Sequence, residues 1–375
     1  MLLKKLIITS MLLMSFSVFS YAGEVGSISA DSAILINAET KEVIFEKNAN
    51  IKRSMASTTK IMTSLIAIES GRLNDIVTAA NMQSEGTSIG LKDGYKLSLE
   101  SLVWGMMLES GNDAAKLVAN YIASSEEGFA KLMNNKAREI GMLNTNFVTA
   151  SGLDSDEHYS TAYDMALLGA RAVDNPLFRE ICSTKTKKVE FIEPAVVRYF
   201  SNHNRLLSMC DGVFGIKTGF TKKSGRCLVS ACERDGVVLV AVTLNAPDDW
   251  NDHIKLYSYG YDNCVSEEVY VRLPDSIRVY GGEQSFVSVS LTEDTIKLSS
   301  ADTRGKVTQR VLLPDFVYAP IKCDDIAGKV QLLRNGNVIC ERDIFYSQNV
   351  GAITPIKGKE NFLKMIFNKI TDIFN

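Results

Sequence analysis

Three short polar groupings in this sequence hold side chains capable of covalent chemistry. Ser57-Thr58-Thr59-Lys60 sets a hydroxyl and an amine three residues apart at the start of an apolar helical run, so both project from one helix face. Serine is a weak nucleophile until a base takes its proton. Lysine serves as that base only where burial or a neighbouring cation lowers its pKa from the unperturbed value of about 10.4. A helix N-terminus adds a positive field for a developing oxyanion. Ser57 is the only serine in the chain with a lysine three places on. Ser110-Gly111-Asn112 lies between two apolar helical stretches, in a loop that displays a hydroxyl and an amide, and the same spacing recurs at Ser347-Gln348-Asn349. Lys217-Thr218-Gly219 falls at the end of an expected strand, where glycine permits close backbone approach and Lys217 and Thr218 can hold an anion. Lys223-Ser224-Gly225 repeats that pattern in a polar turn. Each grouping taken alone also fits a plain structural role, a helix N-cap for the first two and turn chemistry for the repeat of the third.

The elements that must position these groups can be read from periodicity. Ala33 to Ile36 and Val43 to Phe45 flank a turn at Ala38-Glu39-Thr40 and predict a hairpin. Between Ser57 and Ser70 the apolar residues Ile61, Met62, Leu65, Ile66 and Ile68 cover most of a helix's circumference, and Gly71 stops it, which predicts a buried helix. Further helices fit Leu99–Leu108, Asp113–Ala123, Gly128–Ile140 and Ala162–Val173. Strands follow at 214–217, 226–232 and 237–244, the last two joined through Arg234-Asp235-Gly236. After about Asp262 only short alternating runs remain, at 269–273, 287–291, 307–313 and 330–333, with Asn335-Gly336 as a type I′ hairpin signal. This predicts a separate all-β sandwich unit over 266–352.

The chain has 375 residues, 41 Lys+Arg against 44 Asp+Glu, 46% apolar and 23% charged residues. That composition excludes a disordered chain and predicts two globular domains. It provides no basic field for nucleic acid, so nucleic acid is not an expected partner. His158, His203 and His253 are far apart and show no metal-ligand spacing, so neither a metal nor another cofactor is expected. The seven cysteines include no Cys-x-x-Cys and read as small buried apolar residues, with Cys323 and Cys340 the one pair considered for a bridge.

Order and surroundings make the three groupings specific together. With the stretches 107–115, 151–154, 158–165, 204–207 and 215–221, the chain resembles the D-alanyl-D-alanine carboxypeptidases of the low-molecular-mass penicillin-binding protein family, most strongly from about 30 to 262. The resemblance implies an α/β (α+β) fold. A β-lactamase/DD-peptidase-like catalytic domain over 23–265 would have an antiparallel sheet flanked by helices plus a helical subdomain. The β sandwich and a C-terminal amphipathic helix would follow it. The implied substrates are peptidoglycan stem peptides ending in D-Ala-D-Ala, with β-lactams as covalent inhibitors. Ser57 would be the acylated nucleophile, Lys60 its proton acceptor and Ser110 a relay towards the leaving amine. Asn112 would bond the substrate amide, and Lys217 would polarise Ser110 and bind the terminal carboxylate with Thr218. Gly219 and Phe220 would belong to the substrate-binding residues, and the N–H groups of Ser57 and Phe220 would form the oxyanion hole. Some relatives add an Arg after the third strand; here 247–253 contains none, which leaves the second carboxylate ligand open. A β-lactamase on the same fold is the first alternative, although no Glu between Ser110 and Lys217 has Asn three residues on. A non-catalytic penicillin sensor or wall-binding module is the second.

The termini predict location. Lys4 and Lys5, the uncharged apolar run 6–19 and Ser20-Tyr21-Ala22 read as a signal peptide over 1–22. Residues 353–375 read as a tether and an amphipathic helix, with Phe362, Leu363, Ile366, Phe367, Ile370, Ile373 and Phe374 on one arc. The expectation is an exported protein on the outer face of the cytoplasmic membrane, held peripherally through 359–375.

Overall fold

The computed structural model describes residues 25–353 except 84 and 301–304. The expected signal peptide and amphipathic tail therefore lie outside the described residues.

The sheet that carries the site has the order β2-β1-β9-β8-β7 and is antiparallel throughout. Its strands are β1 (Ser32–Asn37), β2 (Val43–Lys47), β7 (Val213–Thr221), β8 (Gly225–Arg234) and β9 (Val237–Leu244). Both faces are covered, so the inner strands carry apolar residues without alternation. Ile34, Ile36, Val229 and Val242 join one core with α1 (Lys60–Glu69) and α5 (Ala162–Val173). Ala33, Leu35, Leu228 and Ala241 join a second core under α8 (Asp249–Asn263). The helical layer adds α2 (Leu99–Leu108), α3 (Asn112–Ala123), α4 (Glu126–Ile140), α6 (Pro176–Ser183) and the short α7 (Leu206–Met209). Two small hairpins complete this unit, β3 (Ile76–Thr78) with β4 (Lys96–Ser98), and β5 (Thr186–Phe191) with β6 (Val196–Ser201).

Among the described residues, the regular elements of the second unit are strands. β10 (Val265–Tyr270) pairs with β13 (Thr295–Ser300). The larger sheet runs β14 (Val307–Leu312), β16 (Ile326–Arg334), β17 (Asn337–Tyr346), β12 (Phe286–Ser290), β11 (Ser276–Tyr280) and β15 (Phe316–Tyr318). Val287, Leu298, Val330, Leu332 and Ile344 fill its core. Asn335 and Gly336 both take positive φ (53° and 83°) between β16 and β17, as a type I′ turn requires.

Three expectations are corrected. The run at Ser57 does not open as an α-helix: Ala56–Thr59 is a 3₁₀ turn and α1 begins at Lys60. Lys217-Thr218-Gly219 lies inside β7, not at its end, because the ladder with β8 continues to Thr221. Cys323 and Cys340 are both free thiols. Cys340 is buried on β17 and donates to Glu39 Oε1 of the first unit (3.2 Å), whereas Cys323 lies in a loop whose N–H donates to Asn349 Oδ1 (2.8 Å).

Candidate active site

Ser57 sits in a turn held from several sides. The Thr58 hydroxyl donates to the Met55 carbonyl (2.6 Å), which closes the turn, and Ala56 takes φ 47°, a left-handed conformation that costs a non-glycine residue about 1–3 kcal/mol. Gly152, at φ 86°, lies directly beneath: a Cβ there would come 1.9 Å from the Ala56 carbonyl oxygen. The His158 ring completes the support. Its Nδ1 accepts the Val148 N–H (2.9 Å), so the proton lies on Nε2, which donates to Thr59 Oγ1 (2.8 Å). Burial pushes the His158 pKa down to about 4, so the ring is neutral at physiological pH.

Lys60 is fully buried on the first turn of α1, which excludes the reading of the motif as a cap with a solvated lysine. Its Nζ lies 2.9 Å from Ser57 Oγ and 2.7 Å from both Asn112 Oδ1 and the Ser151 carbonyl. Burial first, and the Lys217 ammonium second, hold its pKa well below the usual lysine range. Once deprotonated, the amine would keep two N–H groups, for which Asn112 and Ser151 are acceptors, and one lone pair for the Ser57 hydroxyl.

The structure gives Asn112 a different contact from the one implied by the resemblance. Its Oδ1 receives Lys60 and its Nδ2 donates to the Glu85 carbonyl (2.6 Å), so both ends of the amide are engaged within the protein. Asn112 opens α3, and Asp113 beside it fastens the loop opposite by accepting the N–H groups of Ile89 (3.0 Å) and Leu91 (2.9 Å). Ser110 is buried at φ 61° and is not a cap, because Gly111 precedes α3 without a side-chain bond.

β7 brings the third grouping to the same cleft. Lys217 is buried, its Nζ donates to the Thr218 carbonyl (3.1 Å) and not to Ser110, and burial pushes its pKa down to about 7. Gly219 passes so close to the Ser57 turn that a Cβ would lie 3.0 Å from the Ser57 nitrogen. Phe220, 66% exposed, stands at the rim. The competing Lys223-Ser224-Gly225 forms the turn to β8, where Ser224 bonds to Thr221 (2.9 Å).

One contributor, the Ser151 carbonyl, and one neighbour of the site strand, Arg226, were not legible from residue type. The Ser151 carbonyl that fixes Lys60 is a backbone group, which residue type cannot reveal. Arg226 faces Phe220 across the β7–β8 ladder, and its Nε and Nη2 both donate to Asp249 Oδ1 (3.0 and 2.7 Å). Asp249 belongs to the very segment that lacks an arginine of its own. Among the described residues no group of three or more His, Cys, Asp or Glu side chains converges as a metal site, and no helix is long and apolar enough to cross a membrane.

The helix-flanked sheet and its buried polar cleft define a hydrolase-type catalytic domain joined to a β-rich unit. Residues 19–248 match the family described as D-alanyl-D-alanine carboxypeptidase, and 266–352 match the penicillin-binding protein 5 C-terminal domain. The chain belongs to the D-alanyl-D-alanine carboxypeptidase family, in agreement with the resemblance carried by its motifs. It is 30% identical over 346 residues to the carboxypeptidase DacF of Bacillus subtilis, covering 88% of each chain. It is 32% identical over 349 residues to DacC of Escherichia coli, covering 87% of this chain and 86% of that one. Penicillin-binding protein 5 from Haemophilus influenzae superposes with a TM-score of 0.63 at 27% identity, over 87% of this chain and 98% of the other.

Proposed function

We propose that this protein is a serine-type peptidase that removes the terminal D-alanine from peptidoglycan stem peptides ending in D-Ala-D-Ala, through an acyl-enzyme on Ser57. The observation that carries this reading is the fully buried Lys60 amine 2.9 Å from Ser57 Oγ, with its two other contacts accounted for. Lys60 takes the Ser57 proton as Oγ attacks the carbonyl of the scissile D-Ala-D-Ala bond. The N–H groups of Ser57 and Phe220 receive the oxyanion, and Ser110 passes a proton to the departing amine. Asn112 holds Lys60 in register. Lys217, Thr218 and, from the neighbouring strand, Arg226 hold the terminal carboxylate. Arg226 suits that task because a guanidinium presents a planar fork of donors that matches a carboxylate. Water, activated by Lys60, then releases the product and restores Ser57. β-Lactams offer a similarly placed carbonyl and carboxylate and are held as stable adducts.

The protein is exported by residues 1–22 and rests on the outer face of the cytoplasmic membrane through 359–375. Lysines 357, 359, 364 and 369 outnumber Glu360 and Asp372 over 357–375, which favours anionic lipid. Deletion of 359–375 is expected to release a soluble enzyme with unchanged turnover of a small peptide; a truncated enzyme that still sediments with membranes would remove the anchor from the proposal. Mass spectrometry of the penicillin adduct tests the chemistry, with label expected on Ser57 and none in Ser57→Ala. Label elsewhere overturns the assignment, and rapid β-lactam turnover without D-alanine release favours a β-lactamase.

A further inference from the structure

Cys210 and Cys232 meet at the edge of the catalytic sheet. Cys210 follows α7 and opens a turn in which the Val213 N–H donates to the Cys210 carbonyl (3.2 Å). Val213 faces Cys232 across the β7–β8 ladder, so the turn folds Cys210 back over its partner. Gly212, at φ 83°, lets the chain pass so tightly that a Cβ there would lie 3.1 Å from Cys232 Sγ. Both sulfurs lie over the same Asp211 carbonyl, and both residues pack in the apolar cluster beneath α8. Both are free thiols with long contacts: Cys232 Sγ to the Asp211 carbonyl (3.5 Å), Cys210 Sγ to the same carbonyl (3.9 Å), and Arg234 Nη2 to Cys210 Sγ (3.7 Å).

We infer that Cys210 and Cys232 form a redox-modification site that closes into an intramolecular disulfide by exchange with a small-molecule disulfide. Cys210 is the attacking group. It is only partly buried, whereas Cys232 is wholly enclosed. Arg234 Nη2, 3.7 Å from Cys210 Sγ, sets a cation beside it that favours the thiolate. The Cys210 thiolate attacks one sulfur of R–S–S–R, that S–S bond breaks, and RS⁻ leaves. The Cys232 thiol then gives its proton to the departed thiolate and attacks the Cys210 sulfur of the mixed disulfide, expelling the second RS⁻, which takes up the proton that Cys210 had released to solvent. Two protein thiols are oxidised and one external disulfide is reduced to two thiols. Cys182 and Cys227 are poor competitors, since burial pushes their thiols up to about 12 and about 11.

The ring closed in this way encloses all of β7, including Lys217-Thr218-Gly219. β7 is an edge strand with β8 as its single strand neighbour, and the turn at 222–224 already joins their far ends. The disulfide fixes the open end of the same ladder. Its expected signature is slower amide exchange through β7 and a higher unfolding temperature in the oxidised protein.

The test uses the full chain, reduced and freed of reductant, then exposed to oxidised glutathione at neutral pH and mapped by mass spectrometry without reduction. A Cys210–Cys232 linked peptide lacking two hydrogens is expected. Cys210→Ser should lose it, and Cys232→Ser should stop at a glutathione adduct on Cys210. Where a variant misfolds, differential alkylation of the native wild-type protein reads the same pair. A persistent Cys210 adduct in the wild-type protein, a link between other cysteines, or no reaction overturns the inference. D-Alanine release measured on the same sample reads the peptidase proposal separately, so the two can fail independently.

Discussion

The two units of this molecule treat buried polarity in opposite ways. The first buries Lys60, Lys217, Asp113, His158, Asp252 and His253, and supplies partners for them. In the second, Arg334 is the one buried polar or charged residue among those described, and the core is aliphatic with a single cysteine. A packed strand core needs no buried charge, and placing one there costs several kcal/mol unless it is paired. The first unit carries that cost where two lysine pKa values are driven down, and it is this concentration of perturbed groups that supports the proposed site.

The contrast breaks most sharply at Lys60. Lys60→Ala is expected to slow acylation by about 10³–10⁴-fold, the upper range for loss of a general base, with the fold retained. Stopped-flow reaction with a fluorescent penicillin measures it, and near-normal kinetics would reverse the assignment. Gly152→Ala comes next. Its methyl would collide with the Ala56 carbonyl at a left-handed backbone position, so both acylation and stability should fall, the latter by about 2–4 kcal/mol in denaturant titration.

Arg226→Ala should raise KM for a D-Ala-D-Ala peptide by about tenfold while changing kcat little, because a charge held against Asp249 contributes on the order of 1.4 kcal/mol to carboxylate binding. An unchanged KM would leave Lys217 and Thr218 as the whole subsite. The pH profile refines the roles of the two lysines. Lys60 must be neutral, so kcat/KM falls on the acid side as it gains a proton. Lys217 must be charged, so kcat/KM also falls as pH rises through about 7 in the free enzyme. Lys217→Arg, which stays charged, should remove the alkaline limb and keep the acid one. In the second unit, Leu332→Ala should cost about 2–5 kcal/mol of that unit's stability with no change in acylation rate. A parallel loss of acylation would show that the units are coupled.

Helix limits at Leu99–Leu108 and Ala162–Val173, and the strand Val237–Leu244, agree with the periodicity because long apolar patterns on one or both faces admit few alternatives. The hairpin at 186–201 escaped notice: its residues are largely exposed, with Lys187, Lys188, Tyr199 and Ser201 interrupting any apolar alternation. The helix at 249–263 was hidden in the same way by its polar start at Asp249, Asn251 and Asp252. At the site, residue types and chain order were legible for Ser57, Lys60 and Lys217. The second engagement of Asn112 was not, because an amide's partners depend on what the fold brings to it.

Sequence by itself determined which side chains can react, the family they belong to and the apolar patterns that bury them, since each is a property of residue type and local spacing. Tertiary structure decided their chemical state. Lys60 has its pKa lowered beside Ser57 because α1, α3, the Ser151 loop and β7 converge on it, excluding water and adding Lys217. The same is true of Cys210 and Cys232, which the turn before β7 and the β7–β8 register bring to one edge of the sheet. Desolvation and proximity are sums over groups distant in the chain, and no local pattern contains them.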